Sequence, residues 1–227
     1  MSGLLRLTRT ALRAQLLAAR ERFASSAEVS TAEEALAREV VQVIDRLEPE
    51  CLGLYWAMRS EFNAAPLWLA DTGGTTLPLA LPFAERAGRQ MHYRRWDGQA
   101  PRGVDGCGIA TSDGERVVPD VVLVPCVGYT AAGYRLGYGG GYFDRWLAAH
   151  PQVTAVGVAW WSPRSRKRTS RPGRTTSRSR SSSPSAASSE VQPPDNAWRV
   201  CSARCSTQRQ NSSTSWRARA CGVVMSQ

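Results

Sequence analysis

The sequence predicts an α/β fold with an open, mostly parallel β-sheet flanked by helices and followed by a disordered tail. Between residues 51 and 161, short apolar runs bounded by turn residues alternate with segments of helical periodicity. Two of these runs, 120–129 and 153–161, are apolar on both faces, which is typical of buried parallel strands. Residues 162–227 contain 17 serines and 13 basic residues, a composition that cannot bury enough apolar surface to fold. The chain therefore divides into one domain, residues 1–161, and an Arg/Ser-rich tail.

Two helices are predicted before the sheet. Residues 4–22 place leucines and arginines on separate faces, the pattern of an amphipathic helix. The second helix lies within residues 25–47, where Ser30 or Thr31 can cap it and an acidic residue follows three positions later. Its apolar stripe consists of Leu36, Val40, Ile44 and Leu47.

Five strands and two crossover helices follow. The predicted strands are residues 51–58, 75–84, 90–96, 120–129 and 153–161, and the predicted crossover helices are residues 63–72 and 143–150. Ligands of open α/β sheets bind at the carboxyl ends of the strands, so functional residues are expected there.

The formal net charge of +10 is confined to the tail. The tail holds 13 of the 29 basic and 2 of the 19 acidic residues, which leaves 16 basic and 17 acidic residues in the domain. This balance predicts no nucleic-acid partner, except for non-specific binding through the tail. No apolar run reaches membrane-spanning length and no signal-peptide pattern is present, so we expect a cytoplasmic protein without a membrane partner, acting as a monomer. The Arg-rich, acid-free N-terminus is also typical of an organelle transit peptide, which stays an alternative.

The cysteines do not predict a metal site. None of the six belongs to a CxxC pair, and the chain has only two histidines, so zinc binding of standard spacing is not expected. Cys51 and Cys126 lie in apolar runs and are expected to behave as small buried hydrophobic residues.

The segment RLGYGGGYFDR, residues 135–145, combines four glycines with aromatic and charged residues. Bare glycine backbone allows consecutive N–H groups to approach an anion, and the helix that follows adds partial positive charge. Arg135 can pair with phosphate oxygens, Asp144 suits Mg²⁺, and the three aromatic side chains can form flat walls against a planar ring. The loop therefore predicts a nucleoside triphosphate beside an aromatic substrate.

The loop matches neither of two common phosphate-binding motifs. It lacks the lysine and hydroxyl residue of the P-loop, and Tyr142 stands where the dinucleotide fingerprint has its last glycine. A glycine-rich turn with an exposed Asp–Arg pair remains the alternative interpretation.

Longer segments carry a family resemblance. Residues 123–147, LVPCVGYTAAGYRLGYGGGYFDRWL, closely resemble the signature of the 5-formyltetrahydrofolate cyclo-ligase family. RTALR, residues 9–13, resembles the family's N-terminal basic element, with Arg9 in place of lysine. LYWAMRSEFN, residues 54–63, resembles the strand and loop that end in the family's substrate-binding glutamate. The resemblance covers residues 5–161 almost throughout and implies the α/β fold shared with sugar-phosphate isomerases and CoA transferases.

The resemblance implies a ligase that uses ATP and Mg²⁺ to close a ring on 5-formyltetrahydrofolate. ATP phosphorylates the formyl oxygen, N10 attacks, and loss of phosphate gives 5,10-methenyltetrahydrofolate. The implied ATP-binding residues are Arg9, Thr10, Ala11, Leu12, Arg13, Arg135, Leu136, Gly137, Tyr138, Gly139, Gly140, Gly141, Tyr142 and Phe143. The implied folate-binding residues are Trp56, Glu61, Tyr138, Gly139, Gly140, Gly141 and Tyr142. Asp144 is the implied Mg²⁺ ligand, and Arg135 and Tyr142 are the implied catalytic residues.

The implied roles agree with the residue types. Arg9 and Arg13 lie one helical turn apart and can project together towards triphosphate oxygens. The Glu61 carboxylate can accept hydrogen bonds from the amino-pyrimidinone edge of a pterin. Taken without the resemblance, the arginines could equally be a solvated helix face and Glu61 an exposed loop acid, and the core is the favoured position for Trp56.

The chain departs from the family after residue 161. Family members continue with a Pro-x-x-His-Asp-x-Pro-Leu element, a strand and Thr-Glu, and the aspartate of this element is a second magnesium ligand. No histidine follows His150 here. Read in a shifted frame, residues 174–188 can encode H-D-Q-P-L-A-L-I-L-T-E-R-G-V, because the codon of Thr175 begins with AC whichever synonym is used. We interpret the tail as the product of a frameshift.

Two other functions are compatible with parts of the sequence. An RNA-binding protein could use the Arg/Ser-rich tail to contact phosphates electrostatically. A sugar-phosphate isomerase or transferase could use a glycine-rich loop on a similar scaffold.

Overall fold

The computed structural model describes residues 8–69, 77–129 and 135–160 and the backbone of residues 200–204. Within these residues the α-helices are α1 (Arg9–Ala24), α2 (Val29–Leu47) and α3 (Tyr142–Ala149), and 3₁₀ helices span Ala65–Trp68 and Ala87–Arg89. The strands are β1 (Leu52–Gly53), β2 (Leu79–Glu85), β3 (Gln90–Trp96), β4 (Gly103–Val104), β5 (Ala110–Thr111), β6 (Arg116–Val117), β7 (Val121–Pro125), β8 (Gly128–Tyr129), β9 (Arg135–Leu136), β10 (Thr154–Val158) and β11 (Val200–Arg204).

Seven of these strands form one sheet in the order β11-β10-β7-β1-β2-β3-β6. The four central strands, from β10 to β2, are parallel, and the outer strands are antiparallel to their neighbours. The predicted open α/β sheet is therefore confirmed. The strand order changes direction at β1, which pairs with β2 on one side and β7 on the other, and such a point is the usual ligand site of these folds.

A helix covers each face of the sheet. The cluster under α2 contains Leu36, Val40, Ile44, Leu52, Leu81, Leu123 and Val156. The cluster under α3 contains Ala80, Tyr93, Val122, Val124, Trp146 and Leu147. Adjacent residues of one strand, such as Leu123 and Val124, thus enter opposite clusters, which explains why β7 is apolar at every position and β10 at all but its first, Thr154.

The sequence predicted the positions of the long apolar strands correctly, but it did not predict where each strand ends. β3 matches the predicted range 90–96, and β7 and β10 lie within their predicted runs. β1 is much shorter than predicted because the chain leaves the sheet after Leu54, whose N–H still donates to Ala80 O at 2.8 Å. The helix predicted at 63–72 is a 3₁₀ helix over Ala65–Trp68, and residues 70–72 lie outside the described part of the chain.

The cap predicted at Ser30 or Thr31 is wrong. α2 begins at Val29, and its N-cap residue, Glu28, forms no side-chain capping hydrogen bond. The backbone is already turned before this point, since Val29 N donates to Ser26 O at 3.4 Å. Helical hydrogen bonds therefore begin ahead of Ser30.

Helix α1 reaches the loops that follow the parallel strands. Thr8 caps the helix by accepting from Ala11 N at 3.2 Å, so α1 begins later than the predicted helix at 4–22, of which residues 4–7 lie outside the described ranges. Arg13 and Arg20 contact the glycine-rich loop, and Phe23 packs edge-on against Trp160, which follows β10. No helix among the described residues is long and apolar enough to cross a membrane.

Strand β11 belongs to the segment predicted to be a disordered tail. It pairs antiparallel with β10 over five residues, Val200–Arg204. This differs from the expected disorder at these residues, because the outer edge of β10 presents backbone N–H and C=O groups that an added strand can satisfy. The other predicted tail residues lie outside the described part of the chain.

Candidate active site

A buried cluster joins α1, the loop after β1 and the glycine-rich loop. Arg20 Nη1 donates to the Tyr138 hydroxyl, which donates to Glu61 Oε1. Arg20 Nη1 lies 3.9 Å from Glu61 Oε1, and Arg20 Nε donates to Ser60 Oγ at 3.1 Å. The Arg20 and Glu61 side chains are only 4% and 3% exposed. Buried ion pairs need such additional hydrogen bonds to offset desolvation, so the three side chains hold one another in place.

A tight turn orients Glu61. Met58 N donates to Glu61 Oε2 at 2.8 Å, and Glu61 N donates to Met58 O at 3.1 Å. Arg59, inside this turn, has a φ of 54°, which is uncommon for a residue other than glycine. The backbone therefore directs the carboxylate towards Tyr138.

The tyrosines beside Glu61 are hydrogen-bond donors at neutral pH. Burial raises the pKa of the Tyr138 phenol above its ordinary value, and the bond to Glu61 raises it further against the opposing effect of Arg20. Burial and then the charge of Glu61 also raise the pKa of Tyr55, whose hydroxyl donates to Phe62 O at 2.7 Å. Both phenols therefore keep their protons, which Tyr138 donates to Glu61 and Tyr55 donates to the Phe62 carbonyl oxygen.

The glycine-rich loop adopts a backbone that favours glycine. Gly139 and Gly141 have φ values of 100° and 69°, and Gly141 is the N-cap of α3. Arg13 Nε donates to Gly137 O at 2.7 Å, which ties α1 to the loop. The loop therefore lies at a helix N-terminus with an arginine beside it, as predicted for an anion site.

Arg135 and Asp144 lie at the two ends of the loop and form an ion pair. Arg135 Nη2 donates to Asp144 Oδ1 at 2.5 Å, and their side chains are 8% and 25% exposed. Arg145 instead donates to backbone oxygens of Arg89 and Gly140 at 2.7–2.9 Å. Asp144 therefore pairs with Arg135 of β9 and not with the adjacent Arg145, and the Arg135–Asp144 pair, which joins β9 to α3, is partly buried.

Tyr142 contacts a residue that the sequence did not single out for this site. Cys107 Sγ and the Tyr142 hydroxyl oxygen lie 3.2 Å apart, within hydrogen-bonding distance, and the interaction with Cys107 raises the pKa of the phenol. The Arg145 guanidinium lies 5.5 Å from the centre of the Tyr142 ring. The loop between β4 and β5 therefore forms one side of the site.

The remaining predicted site residues have different surroundings. Trp56 is half-buried and packs edge-on against Trp96 at a ring distance of 6.1 Å, and Phe143 packs against both core clusters. Of the predicted site residues on α1, Arg9, Thr10 and Ala11 are exposed and Leu12 and Arg13 are half-buried, while Leu136 of β9 is buried. Trp56 and Phe143 thus pack against the core, whether or not they also contact a ligand.

Asp144 fits a metal ion only in part. No group of three or more His, Cys, Asp or Glu side chains in the described ranges could hold a metal. Mg²⁺ is commonly held by one or two carboxylates together with nucleotide phosphates. Asp144 could therefore serve once phosphates are bound and once they have drawn Arg135 away from its carboxylate.

Arg20 is the site residue that sequence reasoning missed. It lies seven residues after Arg13, on a helix with several other arginines, and no motif distinguishes it. The observation that marks Arg20 as a site residue is the burial of its side chain, which the sequence alone does not reveal. Lys and Arg are almost never fully buried unless paired, so an Arg on the buried side of a helix indicates an acidic or aromatic partner.

An α/β sheet with a glycine-rich loop, two arginines of α1 and a buried carboxylate near the carboxyl ends of its parallel strands is typical of α/β proteins that bind a ligand at this edge of the sheet. The family comparison is more specific. The 5-formyltetrahydrofolate cyclo-ligase family matches residues 6–160, so the chain belongs to that family of ligases. This match confirms the predicted family and gives no support to RNA binding or sugar-phosphate chemistry.

One solved structure agrees with this assignment. The chain is similar to the 5,10-methenyltetrahydrofolate synthetase of Aquifex aeolicus, with 27% identity, a TM-score of 0.52, and coverage of 67% of this chain and 77% of that chain. It is also similar to the 5,10-methenyltetrahydrofolate synthetase of Mycoplasma pneumoniae, with 20% identity, a TM-score of 0.47, and coverage of 63% and 78%. No curated protein sequence matched the chain.

Proposed function

We propose that the chain converts 5-formyltetrahydrofolate to 5,10-methenyltetrahydrofolate, using ATP and releasing ADP and phosphate. The observation that carries the proposal is the position of Tyr138. It belongs to the glycine-rich loop and also bonds to Glu61, so a phosphate site and a pterin site would adjoin. Transfer of a phosphoryl group to the folate requires the two substrates to be held this close.

The glycine-rich loop is proposed as the ATP site. Backbone N–H groups of the loop and the N-terminus of α3 favour phosphate oxygens, and Arg13 lies beside the loop. Arg9 lies one turn before Arg13 and is exposed, so it is free to reach the outer phosphates. Arg135 would exchange its bond to Asp144 for one to phosphate.

Glu61 is proposed as the pterin-binding residue. Its carboxylate uses one acceptor position on each oxygen, for Met58 N and for the Tyr138 hydroxyl. A carboxylate offers about four acceptor positions, so each oxygen can still accept one hydrogen bond. The amino and ring N–H groups of a pterin supply two parallel donors of this kind.

The proposed reaction needs activation of a poor nucleophile. The formyl oxygen attacks the γ-phosphorus of ATP, and ADP leaves with the electrons of the broken P–O bond. N10 then attacks the formyl carbon and loses its proton, and phosphate leaves with the former formyl oxygen. Positioning and charge neutralisation supply most of the catalysis in such transfers, a task suited to Arg135 and the loop, while Tyr142 would line the reacting groups.

Several further features belong to the proposal. Asp144 would hold Mg²⁺ together with the nucleotide phosphates, and the ion would neutralise charge on the transferred group. The enzyme would act as a cytoplasmic monomer. The His-Asp element of the family is absent from the translated tail, so we propose that turnover is weaker than in a chain that contains it.

The proposal is tested by mixing the full chain with 5-formyltetrahydrofolate, ATP and Mg²⁺. We expect the near-ultraviolet absorbance of methenyltetrahydrofolate to rise slowly, with ADP and phosphate formed in equal amounts. Omission of ATP, or removal of Mg²⁺ with a chelator, should abolish the increase. A chain that neither converts nor binds 5-formyltetrahydrofolate in equilibrium dialysis would contradict the proposal.

A further inference from the structure

Among the described residues, one nitrogen of the Arg20 guanidinium has no hydrogen-bond acceptor. Arg20 Nε donates to Ser60, and Nη1 donates to Tyr138. Nη2 is shielded from solvent and has no hydrogen-bond partner among the described residues. A guanidinium carries five N–H donors in a fixed plane, so this nitrogen holds two N–H groups on the same side chain whose Nη1 lies 3.9 Å from Glu61 Oε1.

An unsatisfied buried donor is unfavourable. Leaving a charged donor without an acceptor loses more free energy than leaving a neutral one. Most buried polar groups have a partner, and an exception suggests a ligand or a function. A ligand that brings an acceptor to Nη2 would remove this penalty only in the bound state, which makes the position selective for that ligand.

The pterin of a folate has a polar edge that matches this arrangement. Its 2-amino and ring N–H groups are donors, and the neighbouring 4-carbonyl oxygen is an acceptor. Glu61 retains acceptor positions for the donors, and Arg20 retains a donor for the carbonyl. The ion pair, with Nη1 3.9 Å from Glu61 Oε1, places the Arg20 and Glu61 side chains next to each other.

We infer that Arg20 is a specificity-determining residue of the folate site, donating from Nη2 to the pterin 4-carbonyl oxygen beside Glu61. This inference rests on the proposed function. Arg20 has a second task in this arrangement, because its Nη1 positions Tyr138 against Glu61. A site built for a carbonyl rejects an analogue that presents a donor at the same place.

The test compares two ligands and three forms of the full chain. The ligands are 5-formyltetrahydrofolate and its analogue with a 4-amino group in place of the 4-carbonyl, and the forms are wild type, Arg20→Met and Arg20→Lys. We expect wild type to prefer the 4-oxo ligand by about ten- to hundredfold, the range of one charged hydrogen bond. Arg20→Met should remove most of this preference. Arg20→Lys should also reduce the preference but keep the thermal stability of the wild type.

Two controls separate recognition from folding. Arg22→Met changes an exposed arginine on the same helix and should alter neither ligand preference nor stability. Nucleotide affinity, measured with ADP, should be similar in all forms. A preference that persists in Arg20→Met, or equal losses of both folates and of ADP, would show that Arg20 is only structural and overturn the inference. A wild-type chain that binds neither folate would overturn the proposed function itself.

Discussion

Glu61 accepts hydrogen bonds from two different parts of the fold, and each bond limits which residue could replace it. Met58 N fixes Oε2 from the turn after β1, and the Tyr138 hydroxyl fixes Oε1 from the glycine-rich loop. Arg20 adds a positive charge 3.9 Å away. The carboxylate is therefore held in one orientation before any ligand arrives, which lowers the entropy lost on binding.

Replacing Glu61 with Gln tests this arrangement. The amide keeps the shape but places an NH₂ group opposite an existing donor and leaves Arg20 without its counter-charge. We expect folate affinity to fall by about ten- to hundredfold, the effect of losing one charged hydrogen bond. Thermal stability should also fall, because a buried charge loses its partner. ADP affinity of the folded variant, measured by calorimetry, should persist.

A matched control is Glu21→Gln. Glu21 forms an ion pair with Arg59 at 3.9 Å, but its side chain is 55% exposed, so the pair should contribute little. Unchanged folate affinity in Glu61→Gln, or an equal loss of ADP affinity, would contradict the role of Glu61 as a pterin acceptor.

Among single residues, the sequence predicted site residues that lie in a dense motif and did not predict those that stand alone. The loop at 135–145 was informative because glycines, aromatics and charges in one short stretch have few structural explanations. Arg20 was not, because its importance depends on contacts with Ser60, Glu61 and Tyr138, 40 or more positions away. Burial of one helix face against distant loops cannot be deduced from local spacing.

Among the elements, β1 is the shortest strand of the central parallel group and also its pivot. It pairs with β2 and β7 and leads into the turn that carries Glu61. Gly53 makes its close packing possible. A Cβ atom at this position would lie 2.7 Å from Val122 Cγ1 and 2.8 Å from Tyr93 Cε1, well inside van der Waals contact.

Gly53→Ala should therefore destabilise the domain. Adding a methyl group to a packed core forces neighbouring side chains to shift, which costs about 1–3 kcal/mol. Urea denaturation followed by tryptophan fluorescence should show a lower midpoint. Gly103→Ala is the control, because its nearest atom, Thr111 O, would lie 3.7 Å from the added Cβ. An equal shift in both variants would show that crowding at β1 is not the cause.

The elements that the sequence missed are mostly very short. β4, β5, β6, β8 and β9 each contain two residues, too few for any periodicity to be recognised. The buried strands β7 and β10 were predictable because a parallel strand covered on both faces forms a nearly continuous apolar run. The start of α2 was misplaced because the connection from α1 is itself turned, and capping preferences apply only where a helix begins from extended chain.

For the whole molecule, the central question is what covers the outer edge of β10. In this chain β11, from the Arg/Ser-rich segment, pairs with that edge. The shifted frame would supply a different strand, Leu-Ala-Leu-Ile-Leu, directly after a His-Asp pair. That segment is strongly apolar, whereas Val200–Arg204 contains serine and arginine. The frameshift interpretation thus predicts that the native partner of β10 is the strand encoded in the other frame.

The last prediction compares the chain as given with one translated in the shifted frame after Trp161. The repaired chain should gain a histidine–aspartate pair beside the phosphate site and lose most of its excess positive charge. Burial of several aliphatic side chains contributes about 1.5–3 kcal/mol each before conformational entropy is subtracted. We therefore expect a higher melting temperature together with faster ATP-dependent formation of methenyltetrahydrofolate, followed by absorbance. The chain as given should be cut readily by protease after residue 161. Equal stability and equal rates in the two chains would show that the tail is not a frameshift product, and that β11 is a native part of the sheet.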